Sequence, residues 1–302
     1  MSRFLRALQR RQAQHTETDE LLAGLVKPAA HSGPVGNPAR ERPVAAEPSA
    51  PGSDDRTGIA QAGRYRTVAL VPEPAILPFA DERRSAGEQY RVARTKILQH
   101  PMRPQVILVS SAAPRDGKTT TAINVAAALS LKSQGEILLI DGDIRHASVP
   151  SQLGIPHTPG LADVLEGRCT LEDAIVRSDQ LPSLCILPAG EPESNPAELL
   201  DSQPWTVLMG AVRQCFRHIV LDSPPIAAVA DYDLLQAVSE GVLLVIRPDH
   251  TPRKLLFRSI ESIPSEKLLG VLMNQVPRWF LSRFTGPDYY SQYGGKEYTG
   301  HP

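Results

Sequence analysis

Short apolar runs recur from residue 105 onward and alternate with stretches of helical periodicity. The runs are continuous rather than interrupted by polar residues, which predicts strands that are covered on both faces. Strands that alternate with helices are typical of a doubly wound, mostly parallel α/β sheet with helices on both faces, and we predict this fold. The strand candidates are 105–111, 136–143, 184–190, 217–223, 241–248 and 268–276, and the helix candidates lie near 118–132, 160–167, 195–216, 231–239 and 251–263.

The chain before these strands changes character along its length. Residues 83–100 carry apolar residues at helical spacing, which predicts an amphipathic helix that ends before Pro101. Residues 64–85 carry apolar residues broken by prolines, which indicates an extended arm on the domain rather than an internal strand. Residues 27–55 have too little apolar content to offset the entropy of ordering, so we expect a disordered linker there.

The composition narrows the class of protein. With 32 basic and 33 acidic side chains the net charge is −1, so no global field favours a nucleic-acid partner. The three scattered cysteines are expected to be ordinary reduced thiols. No apolar run approaches the roughly 18–20 residues that span a bilayer, and we expect a cytoplasmic protein. The basic first residues, MSRFLRALQRR, lack the apolar core of a secretory signal; they fit either a short amphipathic helix or a frayed terminus.

The most informative segment joins the first of these strands to a helix. From Ala112 the spacing is A-x-x-x-x-G-K-T, the P-loop pattern with Ala in place of its first Gly. Such a loop surrounds phosphate oxygens with backbone N–H groups at a helix N-terminus. Gly117 allows the backbone to approach closely, Lys118 neutralises phosphate charge, and the Thr119 hydroxyl can bind Mg²⁺. The segment therefore predicts a P-loop NTPase fold that binds a nucleoside triphosphate.

Acidic residues follow two of the other predicted strands. Asp141 and Asp143 come at the end of one strand, and Asp222 comes at the end of another. The carboxyl ends of parallel strands meet in one crevice, which also holds the P-loop. Three carboxylates there would repel one another and the phosphates unless a cation lay among them. Mg²⁺ is the cation that such oxygen ligands favour beside a triphosphate.

Together these segments resemble the bacterial tyrosine kinases of the P-loop type, which are encoded with exopolysaccharide and capsule machinery. SAAPRDGKTT, LLIDGDIR and IVLDSPP match that family's Walker A, second acidic motif and Walker B; AGEPESNPAELL and GVLMNQV extend the match to about residues 83–276. The resemblance implies a P-loop NTPase fold of the deviant Walker, partition-ATPase-like type. It also divides the chain into an extended or disordered arm and linker (1–80), a kinase domain (81–278) that begins with an oligomerisation helix (81–100), and a flexible tail (279–302).

The resemblance further implies ATP and Mg²⁺ as cofactors and a role for each site residue. The implied catalytic residues are Lys118, Asp141, Asp143 and Arg145. The implied metal ligands are Thr119, Asp143 and Asp222. The implied ATP-binding residues are Ala112, Ala113, Pro114, Arg115, Asp116, Gly117, Lys118, Thr119, Thr120 and Asn274. Within these sets, Asp141 would receive or orient the substrate hydroxyl, Arg145 would steady phosphate charge or hold its loop, and Asn274 would read the base or form a turn.

Two further segments bear on assembly. Glu88, Arg91 and Arg94 match the family's E-x-x-R-x-x-R motif, which implies a ring of chains; the alternative is an exposed charged face with one local ion pair. Four of the seven tyrosines lie in the tail, and the resemblance implies that they are the phosphoacceptors: Tyr289, Tyr290, Tyr293 and Tyr298.

The resemblance implies a protein-tyrosine kinase that phosphorylates its own tail in trans and regulates exopolysaccharide or capsule polymerisation and export. The implied partners are a membrane polysaccharide copolymerase or chain-length regulator as activator, a cognate phosphotyrosine phosphatase and further copies of the chain, but no nucleic acid. The implied location is the inner face of the cytoplasmic membrane, by peripheral recruitment.

Two other functions stay open from the residues. A positioning or partition ATPase shares the fold, but its signature Lys is replaced here by Ala113. An ATP-gated scaffold with vestigial kinase activity would tolerate the same motifs. The P-loop also departs from the family at Arg115, where Gly is frequent, and we expect a negative φ at this residue.

Overall fold

The computed structural model describes residues 65–72, 76–77, 84–191, 195–226 and 230–277. The predicted linker and the four tail tyrosines lie outside these residues.

Eight strands form one sheet in the described part of the chain. They are β1 (Arg66–Val68), β2 (Val106–Ser111), β3 (Ile137–Asp141), β4 (Val176–Ser178), β5 (Leu184–Leu187), β6 (His218–Asp222), β7 (Gly241–Ile246) and β8 (Leu268–Met273). Their order across the sheet is β1-β4-β5-β3-β6-β2-β7-β8. All neighbouring pairs are parallel except β4 with β5, which is antiparallel. The predicted doubly wound, mostly parallel fold is confirmed.

Helices connect the strands. They are α1 (Arg84–Leu98), α2 (Lys118–Ser130), α3 (Val149–Leu153), α4 (Leu161–Leu165), α5 (Leu171–Ala174), α6 (Pro196–Leu200), α7 (Gln203–Cys215), α8 (Asp231–Ala237) and α9 (Arg253–Ser262), with a 3₁₀ turn at Ile144–His146. Among the described residues, none of the helices is long and apolar enough to cross a bilayer.

The sheet separates two apolar clusters. Along β2, Val106 and Leu108 pack in one cluster, which residues of α7 and α8 complete. Ile107 and Val109 pack in the other cluster, which residues of α1 and α2 complete. Because each side chain of this size contributes roughly 1.5–3 kcal/mol when fully buried, both faces stabilise the central strand. The central strand is therefore a rigid support for the loop that follows it.

Two short strands and two short helices were not predicted. The segment predicted as an extended arm contributes β1, which pairs with β4 at the edge of the sheet. β4 has only three residues, with a polar one, Arg177, at its centre, so its apolar signal is weak. The helices α3 and α5 are shorter than two turns, which is too short for a helical period to be visible in the sequence.

Candidate active site

The fold brings the P-loop and the acidic strand ends together. β2, which leads into the P-loop, lies next to β6, and β6 lies next to β3. Asp141, the last residue of β3, is directly opposite Asp222, the last residue of β6, in the parallel register. Both aspartates are fully buried. The crevice predicted at this edge of the sheet is therefore formed by the residues that the sequence indicated.

The P-loop needs glycine at residue 117 for two reasons. Gly117 has φ 94, in the left-handed region that side chains other than glycine rarely adopt. A Cβ there would also lie 1.8 Å from Nδ2 of Asn274. The same Nδ2 donates a hydrogen bond to the carbonyl oxygen of Asp116 at 3.1 Å. Asn274, predicted to read the base or form a turn, thus packs in this structure on the backbone of the P-loop.

Arg115 corrects one prediction. Its φ is 65, whereas we expected a negative value. The loop turns sharply here, and the turn requires a left-handed backbone conformation at this position although the residue is not glycine. A residue other than glycine in this region costs on the order of 1–2 kcal/mol, so the surrounding structure must hold it in place. The side chain of Arg115 is exposed, as is that of Pro114 beside it.

Lys118 is held at the start of α2 by an acidic partner. Its Nζ lies 2.8 Å from Oδ2 of Asp143, a carboxylate that is only 2% exposed. Burial lowers the pKa of Lys118, but the nearby Asp222 and Asp143 carboxylates outweigh this effect and raise its pKa overall. Lys118 therefore stays protonated at neutral pH, as a residue that binds phosphate requires.

Thr119 belongs to a chain of hydroxyl and carboxylate contacts. Its Oγ1 donates to Oδ2 of Asp222 at 2.6 Å and accepts a hydrogen bond from Oγ of Ser148 at 2.9 Å. The backbone N–H groups of Ser148 and Val149, at the start of α3, donate to Oδ2 of Asp141 at 3.1 and 3.0 Å. Ser148 thus connects both acidic strand ends to the P-loop. Ser148 stands in no motif, so no pattern in the sequence points to it.

Each of the two buried aspartates keeps one oxygen without a hydrogen-bond partner. These atoms are Oδ1 of Asp141 and Oδ1 of Asp222. Burial is the main cause that raises the pKa of Asp141 to about 8, and the neighbouring Asp222 adds to the effect. Burial likewise raises the pKa of Asp222 to about 6, against the opposing effect of Lys118. Two buried carboxyl oxygens without partners are costly, and ionisation of both groups would require a cation beside them.

The donor set fits Mg²⁺ in the presence of a nucleotide. Among the described residues, no three His, Cys, Asp or Glu side chains meet closely enough to hold a metal on their own. Mg²⁺ commonly uses one or two carboxylates and takes its remaining ligands from phosphate and water. The unpartnered oxygen of Asp222 and the Thr119 hydroxyl are suitable protein ligands. Asp143, the third predicted ligand, is engaged by Lys118 in this structure.

Arg145 is placed by a residue that the sequence analysis missed. Its Nε and Nη2 donate to Oδ2 and Oδ1 of Asp231 at 2.7 and 3.2 Å. Asp231 is buried at the start of α8. Such a bidentate pair fixes a guanidinium strongly. Of the two predicted roles for Arg145, this geometry corresponds to holding its loop.

The three charged residues predicted at an oligomer interface all lie on α1 and differ in their contacts. Glu88 and Arg91 form an ion pair of 3.1 Å, in which the Glu88 side chain is 62% exposed. Nη1 of Arg94 donates to the carbonyl oxygen of Ala128 at 3.2 Å. Ala128 lies in the last turn of α2, where carbonyl groups lack partners within the helix. Arg94 therefore contacts the far end of the helix that begins at Lys118.

Comparison with known proteins gives this site a context. No protein-family model matches the chain. The tyrosine-protein kinase YwqD of Bacillus subtilis (strain 168) is 33% identical over 213 residues, which cover 69% of this chain and 86% of YwqD. The succinoglycan biosynthesis transport protein ExoP of Rhizobium meliloti (strain 1021) is 32% identical over 205 residues, 65% of this chain; the chain spans only 26% of ExoP.

A solved structure agrees with these relatives. The crystal structure of the VpsO kinase domain superposes with a TM-score of 0.57 and 31% identity, and the match covers 63% of this chain and 96% of that domain. The alignment with YwqD extends over most of that kinase, and the P-loop and acidic strand ends meet in one crevice as a phosphate-transfer site requires. The chain therefore belongs to the bacterial tyrosine-protein kinases and is itself such a kinase.

Proposed function

We propose that this chain is an ATP-dependent tyrosine autokinase that phosphorylates its C-terminal tyrosines in trans within an oligomeric ring. The observation that carries the proposal is the pair of unpartnered carboxylate oxygens on Asp141 and Asp222 beside the P-loop. Asp141, which is not among the proposed metal ligands, has its pKa raised to about 8, close to neutrality. A general base works best when its pKa is close to the working pH.

Each residue of the site has a distinct task in this proposal. The P-loop, residues 112–120, binds the triphosphate through its backbone N–H groups, and Lys118 binds the phosphate oxygens. Thr119 and Asp222 hold Mg²⁺, with Asp143 assisting. Bound Mg²⁺ supplies neutralisation of the charge on the transferred phosphoryl group. Asp143 keeps Lys118 protonated and in position at 2.8 Å until phosphate binds.

Asp141 is the proposed base. The substrate tyrosine oxygen forms a bond to the γ-phosphorus of ATP, the bond from that phosphorus to the β,γ-bridging oxygen breaks, and ADP leaves. Asp141 would be ionised when Mg²⁺ is bound beside it, because a cation favours the carboxylate form. The phenolic proton then passes to its Oδ1, because Oδ2 is already bound by the N–H groups of Ser148 and Val149. A tyrosine hydroxyl has an ordinary pKa near 10, so this transfer takes place within the transition state and not before it.

The tail supplies the proposed substrate. Tyr289, Tyr290, Tyr293 and Tyr298 follow the last strand, and Tyr298 is 22 residues beyond Val276. A segment of that length spans at most about 70 Å when extended. This reach suffices for the site of a neighbouring chain. Phosphate groups on clustered tyrosines would repel one another and compete with docking, which gives a means of releasing the ring.

The ring is proposed to form through α1. The ion pair between Glu88 and Arg91 lies on the surface, where a second copy could contact it, and it contributes only tenths of a kcal/mol. Arg94 joins α1 to the end of α2. A contact between chains on α1 could therefore affect the position of α2, whose first residue is Lys118. We also propose the boundaries of an arm and linker (1–80), a kinase domain (81–278) and a tail (279–302).

The relatives support a proposal for the cellular role. ExoP is by name a succinoglycan biosynthesis transport protein. We propose that this kinase regulates exopolysaccharide or capsule polymerisation and export from the inner face of the membrane. Its activator would be a membrane polysaccharide copolymerase or chain-length regulator, and a phosphotyrosine phosphatase would reverse its action.

The decisive experiment is a phosphosite map. The purified chain is incubated with Mg-ATP and the intracellular segment of its activator, and the tail is analysed by mass spectrometry. We expect phosphate on one or more of the four tail tyrosines, and none when Lys118→Met removes the phosphate-binding cation. Lys132→Met, at an exposed lysine beyond α2, is the matched control and should behave like the parent. ATP hydrolysis without phosphotyrosine would instead indicate a positioning ATPase, and nucleotide-dependent assembly without either would indicate a scaffold.

A further inference from the structure

A buried carboxylate inside the P-loop has no part in the chemistry above. Asp116 is fully buried, although the loop around it is expected to bind an anion. Its Oδ2 accepts a hydrogen bond from the N–H of Ala113 at 2.8 Å, within the same loop. A carboxylate near phosphate repels it and is costly to bury, so its retention requires compensating donors.

Those donors come from the loop after β7. Oδ1 of Asp116 accepts a hydrogen bond from Oγ1 of Thr251 at 2.8 Å and lies 3.0 Å from Nδ1 of His250. The loop is itself held, because Oγ1 of Thr251 accepts a hydrogen bond from the N–H of Arg247 at 2.8 Å. Asp116, His250 and Thr251 thus tie residues 247–251 to the P-loop, and we refer to these three residues as the Asp116 latch.

The latch lies on the side of the P-loop away from the acidic residues. Asp141 and Asp222 end β3 and β6, which are on one side of β2 in the sheet, whereas residues 247–251 follow β7 on the other side. The latch therefore connects the loop after β7 to the P-loop from the side opposite the acidic residues.

The latch also stabilises the strained residue in the loop. Arg115, with φ 65, stands between Pro114 and Asp116 and makes a turn that is costly by itself. Asp116 accepts hydrogen bonds from Ala113, which precedes this turn, and from Thr251 in the loop after β7, so the chain is fixed on both sides of the turn. Without them, the backbone N–H groups that face phosphate would lose their preset orientation.

We propose that His250 and Thr251 are positioning residues for ATP: through Asp116 they hold the P-loop in its phosphate-binding form, so that they set nucleotide affinity without touching the transferred group. This inference rests on the proposed function in that the P-loop is taken to bind Mg-ATP. It adds a second loop of the chain, residues 247–251, to the determinants of that binding.

The test compares isosteric variants that remove or keep each bond. Thr251→Val removes the hydroxyl at nearly constant volume, and Thr251→Ser keeps it. His250→Leu removes the ring nitrogen, and His250→Asn places an amide near the position of Nδ1. Titration calorimetry with Mg-ATP gives Kd, and steady-state kinetics give KM for ATP and kcat. Thr206→Val, at an exposed threonine of α7, is the control for loss of a hydroxyl elsewhere.

We expect Thr251→Val and His250→Leu to raise Kd and KM for ATP about tenfold while kcat changes less than threefold. Thr251→Ser and His250→Asn should recover most of the affinity. The inference is overturned if Thr251→Val binds Mg-ATP as tightly as the parent, if the serine variant is as weak as the valine variant, or if kcat falls while KM stays constant. Failure of the parent chain itself to bind Mg-ATP would refute the proposed function instead, so the two failures are distinguishable.

Discussion

At the scale of single residues, the site holds two buried acidic side chains next to each other before any ligand is bound. Asp141 and Asp222 are directly opposite each other at the ends of adjacent strands, and each keeps one oxygen without a partner. Two carboxylates that share such a site cannot both ionise easily, so burial and mutual repulsion raise the pKa of Asp141 to about 8. The stability of the folded chain must therefore depend on pH through this group.

The sign of that dependence can be derived. The folded chain holds the Asp141 proton up to about pH 8, whereas the unfolded chain releases it near the ordinary value of 3.8. The folded state thus binds more protons between these values, and the free energy of unfolding falls as the pH rises through that interval. Asp141→Asn removes the group. We expect its free energy of unfolding to fall less steeply than that of the parent and to exceed it at pH 8, on the order of a few kcal/mol.

The measurement is urea unfolding from pH 5 to pH 8.5 in EDTA and without nucleotide. Asp179→Asn, at an exposed aspartate after β4, serves as the control and should follow the parent profile. Parallel profiles for the parent and Asp141→Asn would mean that the buried carboxyl does not govern this dependence. Replacing EDTA by Mg²⁺ and nucleotide should stabilise the parent more at high pH, because a cation favours the ionised carboxylate.

Site residues that belong to a sequence motif could be predicted. Site residues that reach the site only through the folding of the chain could not. Asp141 and Asp222 were found because each ends an apolar run. Ser148 and Asp231 stand in no motif; Asp231 meets Arg145 across 86 positions of sequence, through packing alone. The left-handed turn at Arg115 was missed because the residue type argued against it.

At the scale of elements, sequence prediction succeeded where a strand or helix is long and apolar enough to show its period. The six predicted strands are present in the structure, within a few residues of their expected ends. The three-residue strands β1 and β4 were missed, because their stability comes from pairing at the edge of the sheet and not from an apolar run. The predicted helix at 195–216 is divided in the structure into α6 and α7, where Ser202 caps the second helix.

The helix α1 is the element on which assembly is proposed to depend. Arg91 forms an ion pair with Glu88 on its own helix, whereas Arg94 donates to the carbonyl oxygen of Ala128 in α2. Losing Arg94 therefore affects both the proposed interface and the packing of α1 on α2. The two arginines should consequently differ in their effect on stability and agree in their effect on assembly.

We expect Arg91→Ala to lower the mass in multi-angle light scattering, with a smaller fall in Tm than for Arg94→Ala because its ion pair with Glu88 is largely exposed. Arg94→Ala should lower both the mass and Tm, since a charge-assisted hydrogen bond contributes roughly 1.5–3 kcal/mol when partly buried. Lys96→Ala, at an exposed lysine of the same helix, is the control for loss of a surface charge. A mass that stays unchanged in both arginine variants would contradict an interface on α1.

At the scale of the whole molecule, the proposed substrate tail follows β8, whereas the acidic residues of the site end β3 and β6. β8, the last strand, is at the edge of the sheet and separated from β6 by β2 and β7. The described chain after β8 lies against the P-loop, where Nδ2 of Asn274 donates to the carbonyl oxygen of Asp116 at 3.1 Å. A tail that follows these residues can serve its own site or that of a neighbour, and the proposed ring would favour the neighbour because many copies of the tail would be held close to each site.

Transfer between chains can be separated from transfer within a chain by mixing two variants. One carries Lys118→Met and keeps its tail tyrosines; the other keeps Lys118 and has all four tail tyrosines replaced by Phe. Neither can phosphorylate its own tail. If phosphate passes between chains, the mixture with Mg-ATP and activator gains phosphotyrosine on the Lys118→Met chain, as intact mass spectrometry would show. Adding Arg91→Ala to both chains should then reduce the yield at a fixed concentration, because the substrate tail is no longer held beside the site. Phosphotyrosine in the parent but none in the mixture would mean that each chain phosphorylates only its own tail, and the ring would lose its role in catalysis.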